Sequence, residues 1–162
     1  MSSTKSRIEV DVMVEAGGWP AEPQLRDLVD RAIASLEAAG VLGAGTTELS
    51  VVFSDDRRVR ELNAAWRGKD RPTNVLSFPA FATPGRGAAL PPMLGDIVLA
   101  FETAAGEARL EGKTLEHHIS HLVLHGLLHL LGYDHEQDAE ADEMEAIERG
   151  SLARLAIPDP YA

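Results

Sequence analysis

The six histidines of this 162-residue chain all fall between His117 and His135. His125 and His129 are four residues apart, so on a helix they project to one side, about 40° from one another. Gly132 stands where a glycine can take the left-handed conformation that ends a helix. The chain can then turn and bring His135 back toward the first two. Three imidazoles with one open position form the ligand set of a catalytic zinc rather than a structural one. Such an ion keeps its double positive charge, lowers the pKa of a bound water toward about 7, and can polarise a carbonyl or phosphoryl oxygen. The spacing points to hydrolysis at one Zn2+ held by His125, His129 and His135.

The competing reading is a buried helix that happens to carry histidine. From Ile119 to Leu131 the sequence is apolar nearly all round, which is the pattern of a helix enclosed by the fold. A single buried imidazole can be satisfied by a backbone carbonyl. Three that converge, with a helix stop placed between them, would be costly without a metal. His117 and His118 fall in the first turns after a cap at Thr114 and are read as solvent or groove residues. His121 is read either as a neighbour of the ligands or as a core histidine. The stripe drifts by about 40° per step, so its members cannot all reach one ion.

The elements that must position these residues follow from periodicity. Ile8, Val10, Val12 and Val14 alternate with polar neighbours and predict a half-buried strand. Leu25, Leu28, Val29, Ala32, Ile33 and Leu36 predict a helix from about Glu22 to Ala39, stopped by Gly40 and Gly43. A second strand is expected over Thr46 to Phe53, then a short helix capped by Ser54 and carrying Val59, Leu62 and Trp66. Asn74 to Phe78 reads as a third strand closed by Pro79, and residues 80 to 93 as a glycine- and proline-rich loop beside a cleft. Gly95 to Ala100 is a fourth strand, Glu102 to Leu110 a helix, Thr114 the start of the histidine helix, and Ala139 to Leu155 a last amphipathic helix. Four strands and about five helices, with the metal helix central, make an α+β (mixed α/β) fold with a small sheet, in a single domain over residues 1–162.

Composition bounds the function. A hydrophobic fraction of 44% over this length supports one sizeable core. Without cysteine there is no disulfide framework, and zinc ligands must come from His, Asp or Glu. No apolar run is long enough to span a bilayer, and the amino end does not resemble a signal-peptide core, so a cytoplasmic protein that avoids membranes is expected. A net charge of −11 argues against simple nucleic-acid binding. The charge is uneven, however. Asp134 to Glu148 is rich in carboxylates and reads as the solvated face of a terminal helix. Arg57, Arg58, Arg60, Arg67, Lys69 and Arg71 cluster, either as a phosphate-facing patch or as a helix face laced with ion pairs.

The His-x-x-x-His-x-x-Gly-x-x-His spacing resembles that of the metzincin proteases. Those carry a glutamate after the first histidine as general base. Gly126 stands there in this chain and has no group to take a proton. Met144 also sits in a helical pattern rather than a Met-turn. Hydrolysis of peptide or small amide bonds is therefore the alternative reading, not the first.

The passage His125-Gly-Leu-Leu-His-Leu-Leu-Gly-Tyr-Asp-His135 resembles the signature of the YbeY family of bacterial endoribonucleases. So do Leu62-Asn-Ala-Ala-Trp-Arg67-Gly-Lys-Asp-Arg-Pro-Thr-Asn74-Val-Leu-Ser-Phe-Pro79 and Leu94-Gly-Asp96-Ile, in the family's order. The resemblance spans roughly Ser54 to Glu148. It implies that His125, His129 and His135 are zinc ligands and that Arg67 is functionally important. It also implies a single-strand-specific, metal-dependent endoribonuclease that matures ribosomal RNA, especially the small-subunit 3′ end, and acts in ribosome quality control. Partners implied are single-stranded ribosomal RNA, the small ribosomal subunit and its proteins. The guanidinium of Arg67 has a fork of donors suited to a phosphate; its bland alternative is a surface ion pair with Asp70. Lys69, Arg71, Arg57 and Arg60 are weaker candidates for holding the RNA backbone. Asp96, Asp134 and Glu136 are the groups from which a general acid or base or an orienting partner would come, and none is singled out. Trp66 and Tyr133 could stack on a base, but helical spacing favours a core tryptophan. A third reading is a ribosome-assembly factor whose metal is mainly structural.

Overall fold

A computed structural model describes residues 7–81, 85–134 and 136–161. Strand β1 (Ile8–Val14) is followed by α1 (Glu22–Ala38), β2 (Thr47–Ser54), α2 (Asp56–Arg67), β3 (Val75–Pro79), β4 (Met93–Ala100), α3 (Phe101–Leu110), α4 (Leu115–Leu130) and α5 (Asp138–Arg154). The strands form one mixed sheet in the order β1-β2-β4-β3. β1 and β4 lie parallel to β2, and β3 runs antiparallel to β4 at the edge. Proline at the end of β3 is compatible with that place, because an edge strand need not donate from every position. The expected α+β class is observed, and element boundaries agree with the periodicity to within a residue or two.

One face of the sheet carries the main core. Ile8, Val12, Leu49, Val51, Phe53, Ile97 and Leu99 meet buried residues of α1, α4 and α5. The other face is smaller, with Leu76, Val98 and Ala100 covered by Val59 and Leu62 of α2. A register shift lets Leu94 join the main core beside Ile97. Gly95 makes it possible: φ is +149° and a Cβ there would lie 2.2 Å from the Phe78 carbonyl oxygen.

Helix α4 is buried on nearly every side, as its composition predicts. Thr114 caps it by accepting from the His117 amide at 3.1 Å. At the far end Leu131 is the C-cap and Gly132 follows at φ +100°. Helix α2 is capped by Asp55, whose carboxylate accepts from the Arg58 amide; the expected cap, Ser54, instead ends β2 and is buried. Asp56 ties α2 to α3, accepting from the Thr103 amide and hydroxyl at 3.0 and 2.8 Å. This fixes the direction of α2, and with it the place of Arg67 at its last turn. No helix among the described residues is long and apolar enough to cross a membrane.

Candidate active site

Helix α4 presents His121, His125 and His129 on successive turns. The Nε2 atoms of His125 and His129 face each other at 3.1 Å. His125 Nδ1 donates to Glu148 Oε1 at 2.9 Å, and His129 Nδ1 donates to the Tyr133 carbonyl oxygen at 3.1 Å. A carboxylate and a carbonyl can only accept. Both Nδ1 atoms therefore carry protons, and each ring turns its Nε2 toward the same point. Two nitrogens on one tetrahedral zinc, at about 2.0–2.1 Å each, stand roughly 3.3 Å apart, close to the observed separation. Nδ1 bonds of this kind hold a metal-binding imidazole in tautomer and orientation. The described residues thus fit two ligands of a metal site. His135, the expected third, lies outside the described residues, and no group of three or more such side chains gathers among the rest.

Glu148 of α5 organises the helix face behind His125 and His129. Its side chain is 1% exposed and takes three donors: His125 Nδ1, His121 Nε2 at 2.7 Å and the Tyr161 hydroxyl at 2.6 Å. Burial pushes its carboxyl up, but the hydrogen bonds from His121, His125 and Tyr161 outweigh that and hold it down at about 2. Burial, with the Glu148 carboxylate alongside, pushes the Tyr161 hydroxyl far up. Here the expectation of a wholly solvated acidic face is corrected. Glu148 falls four residues after Met144 and four before Leu152, both buried, so the helical stripe that predicts α5 as amphipathic already placed a carboxylate on its inner side.

His118 also departs from expectation. It is buried rather than exposed, and its Nε2 donates to Glu107 Oε1 at 2.8 Å. Burial lowers its pKa, and the Glu107 bond only partly opposes this. Glu107 in turn accepts from Asn74 Nδ2 at 3.0 and 3.3 Å. His117 is half-buried, away from the cleft of His125 and His129, beside Lys113 and Pro158.

A cleft of about 480 Å³ opens over His125 and His129. Arg67, Asn74, Ser77, Asp134 and Glu136 line it with them. Ser77 pins its wall by donating to the Gly126 carbonyl at 3.0 Å. A Cβ on Gly126 would come within 3.0 Å of Ser77 Oγ and 3.1 Å of Ile97; the position is filled by the sheet, which accounts for glycine where a protease would carry its base. Arg67 reaches this cleft, and among the described residues it makes no ion pair; Asp70 pairs instead with Arg60 at 2.8 Å. Arg57 and Arg58 pair with Glu61, so that part of the basic cluster is a laced helix face. Asp134 and Glu136 are brought to the cleft, whereas Asp96 lies in an adjoining hollow with Trp66 and Phe78. Tyr133 is 8% exposed and covered by Arg86, and Trp66 is exposed rather than in the core.

The family model described as Endoribonuclease YbeY matches residues 18–156. The chain belongs to the YbeY family. An endoribonuclease YbeY of Chelativorans sp. (strain BNC1) is 53% identical over 156 residues, covering 94% of this chain and 93% of its own. One from Rhodopseudomonas palustris (strain ATCC BAA-98 / CGA009) is 52% identical over 152 residues, covering 94% and 80%. A solution structure from Thermotoga maritima superposes with a TM-score of 0.58 at 24% identity over 91% of each chain, a likeness of fold. The resemblance in the histidine passage, the Arg67 passage and the Asp96 passage is thus that of a YbeY-family member over most of its length.

Proposed function

We propose that this protein is a metal-dependent endoribonuclease that cleaves single-stranded ribosomal RNA during maturation of the small-subunit 3′ end and in ribosome quality control. Its metal ligands in this reading are His125, His129 and His135, with zinc as the ion, in the cytoplasm and beside the small ribosomal subunit. The observation that carries it is the facing pair of His125 and His129 Nε2 atoms, each ring held by its Nδ1 bond, in a cleft that also receives Arg67. Names of relatives at about half identity support the RNA substrate.

A divalent ion bound there supplies Lewis acidity, polarising a phosphoryl oxygen and acidifying a water. The chain's own residues do the rest. Glu148 and the Tyr133 carbonyl hold the two imidazoles in the tautomer that ligates. Arg67 binds the scissile phosphate and stabilises the charge that grows on it, as a planar donor fork does in a recessed site. Asp134 and Glu136 are the carboxylates within the cleft that can accept a proton from the attacking water. Asn74, held by Glu107, presents its amide at the cleft wall.

The test is cleavage of a single-stranded ribosomal RNA fragment by wild-type protein with and without chelator, beside a folded His125→Ala variant. Loss with both is expected. Equal cleavage by variant and wild type, or none by either, would sink the reading.

A further inference from the structure

The apolar stripe of α2 runs through Val59, Leu62 and Trp66 at helical spacing. Val59 and Leu62 are covered by the sheet, but the stripe then passes the edge strand β3, where Phe78 is the remaining neighbour. The Trp66 ring lies 6.2 Å from that of Phe78 and tilted by 60°, and the residue is left 73% exposed. The other tryptophan shows what the fold does with indole in the core. Trp19 sits edge-on between Phe53 and Phe101 and donates to the Ser54 carbonyl. With the half-buried Phe78 ring beside it, the exposed indole forms an aromatic patch rather than a lone apolar side chain, and such a patch marks a binding surface.

Its position says what. Trp66 and Phe78 line a hollow of about 500 Å³ together with Arg67, Ser77 and Asp96. Arg67 and Ser77 also line the histidine cleft, so the two depressions adjoin across those residues. Phe78 and Asp96 continue into a third hollow with Met13, Glu15, Ser50, Val52 and Arg58, where carboxylates balance the one guanidinium. From the cleft outward the sequence of surfaces is therefore imidazole pair, guanidinium and aromatic face. A polynucleotide strand alternates phosphate and base in the same way. A duplex keeps its base faces stacked on one another and has none to offer.

We propose that Trp66, backed by Phe78, is a stacking platform for one unpaired base of an RNA strand whose adjacent phosphate lies at Arg67. This rests on the ribonuclease reading of the cleft and adds to it the surface that would select unpaired RNA. Stacking itself is tolerant of base identity, because every base has a π-face. Asp96, which lines the same hollow, can accept a hydrogen bond from an amino or imino N–H of the stacked base.

The experiment uses the full chain with chelator present, so that binding is read without cleavage. Labelled 12-nucleotide single strands and their duplexes are titrated by fluorescence anisotropy, and indole emission is followed in parallel. Wild type is expected to bind the single strand with quenching of its indole emission. Trp66→Ala is expected to weaken that binding by roughly 5- to 150-fold, the range of one base–aromatic stack. Trp66→Phe should recover most of the affinity and lose the quenching, since Trp19 alone then emits. Leu110→Ser, which removes an exposed side chain elsewhere (89% exposed), should change nothing. Single-strand binding by Trp66→Ala equal to wild type overturns the platform, and the exposed indole would then be a contact for protein. Metal-dependent cleavage measured on the same variants separates the two readings. Cleavage that needs His125 but is indifferent to Trp66→Ala refutes the platform alone, whereas a wild type that neither binds nor cuts RNA refutes both.

Discussion

Glu148→Gln keeps the shape of the buried side chain while removing its charge and one of its two acceptor faces. Three donors converge on the carboxylate, with His121 and Tyr161 on Oε2 and His125 on Oε1. An amide has a single oxygen, which serves best where two donors meet it. The NH2 group is then turned toward His125. To avoid two donors facing, His125 must offer Nδ1 as an acceptor, and its proton moves to Nε2. That atom is the one aimed at His129 Nε2, so the ring loses the lone pair the metal needs. Loss of a support of this kind lowers metal affinity about 10- to 100-fold, or roughly 1.4–2.7 kcal/mol. Exchanging a hydrogen bond to a charged group for a neutral one also costs the metal-free fold about 1 kcal/mol for each donor concerned. Glu148→Ala, which strands three buried donors, costs about 3–5 kcal/mol and is the poorer probe. The assay is a competition titration of Zn2+ against a chelating dye, beside thermal unfolding of the metal-free proteins. A folded Glu148→Gln protein with wild-type zinc affinity would refute the reasoning.

Arg67→Ala should reduce RNA cleavage about 10²- to 10³-fold, the loss of one preorganised charge stabiliser, while zinc affinity in the same competition titration stays at the wild-type value. His118 should titrate below its ordinary value of 6.5, as followed by NMR of its ring protons. Its folded pKa is depressed, so its contribution to stability is present above that ordinary value and is lost as pH falls through the lower folded one. Glu107→Gln removes an influence that raises it and should move the midpoint lower still; a midpoint that rises would contradict this. Gly126→Glu, which installs the residue a protease would use, should destabilise the fold by more than about 3 kcal/mol, because the new side chain meets Ser77 and Ile97 and would be buried without a partner. Denaturant unfolding measures it, and a stable, proteolytic variant would reverse the argument.

Much of the architecture is local information. The alternation in β1, the 3.6-residue stripes of α1 and α5, the Thr114 cap and the Gly132 stop are consequences of side-chain direction and backbone conformation within a few residues. So is the one-sided projection of His125 and His129, along with the family resemblance carried by the histidine and Arg67 passages. Other features depend on which surfaces meet. Glu148 sits in a run of carboxylates, and its spacing from Met144 and Leu152 puts it on the inner stripe of α5 without saying what it meets there. It is buried because α5 packs against α4 with that stripe inward, where two imidazoles and a tyrosine hydroxyl await it. His118 is buried because α3 places Glu107 against it. Trp66 has core spacing yet remains exposed, since the helix outruns the sheet that covers its first two turns. Spacing along a helix determines which residues share a face, but whether that face meets a sheet, a carboxylate or solvent is decided by elements distant in the chain. That is why the shared face of His125 and His129 could be read from sequence, while the carboxylate behind it and the exposure of Trp66 required the assembled fold.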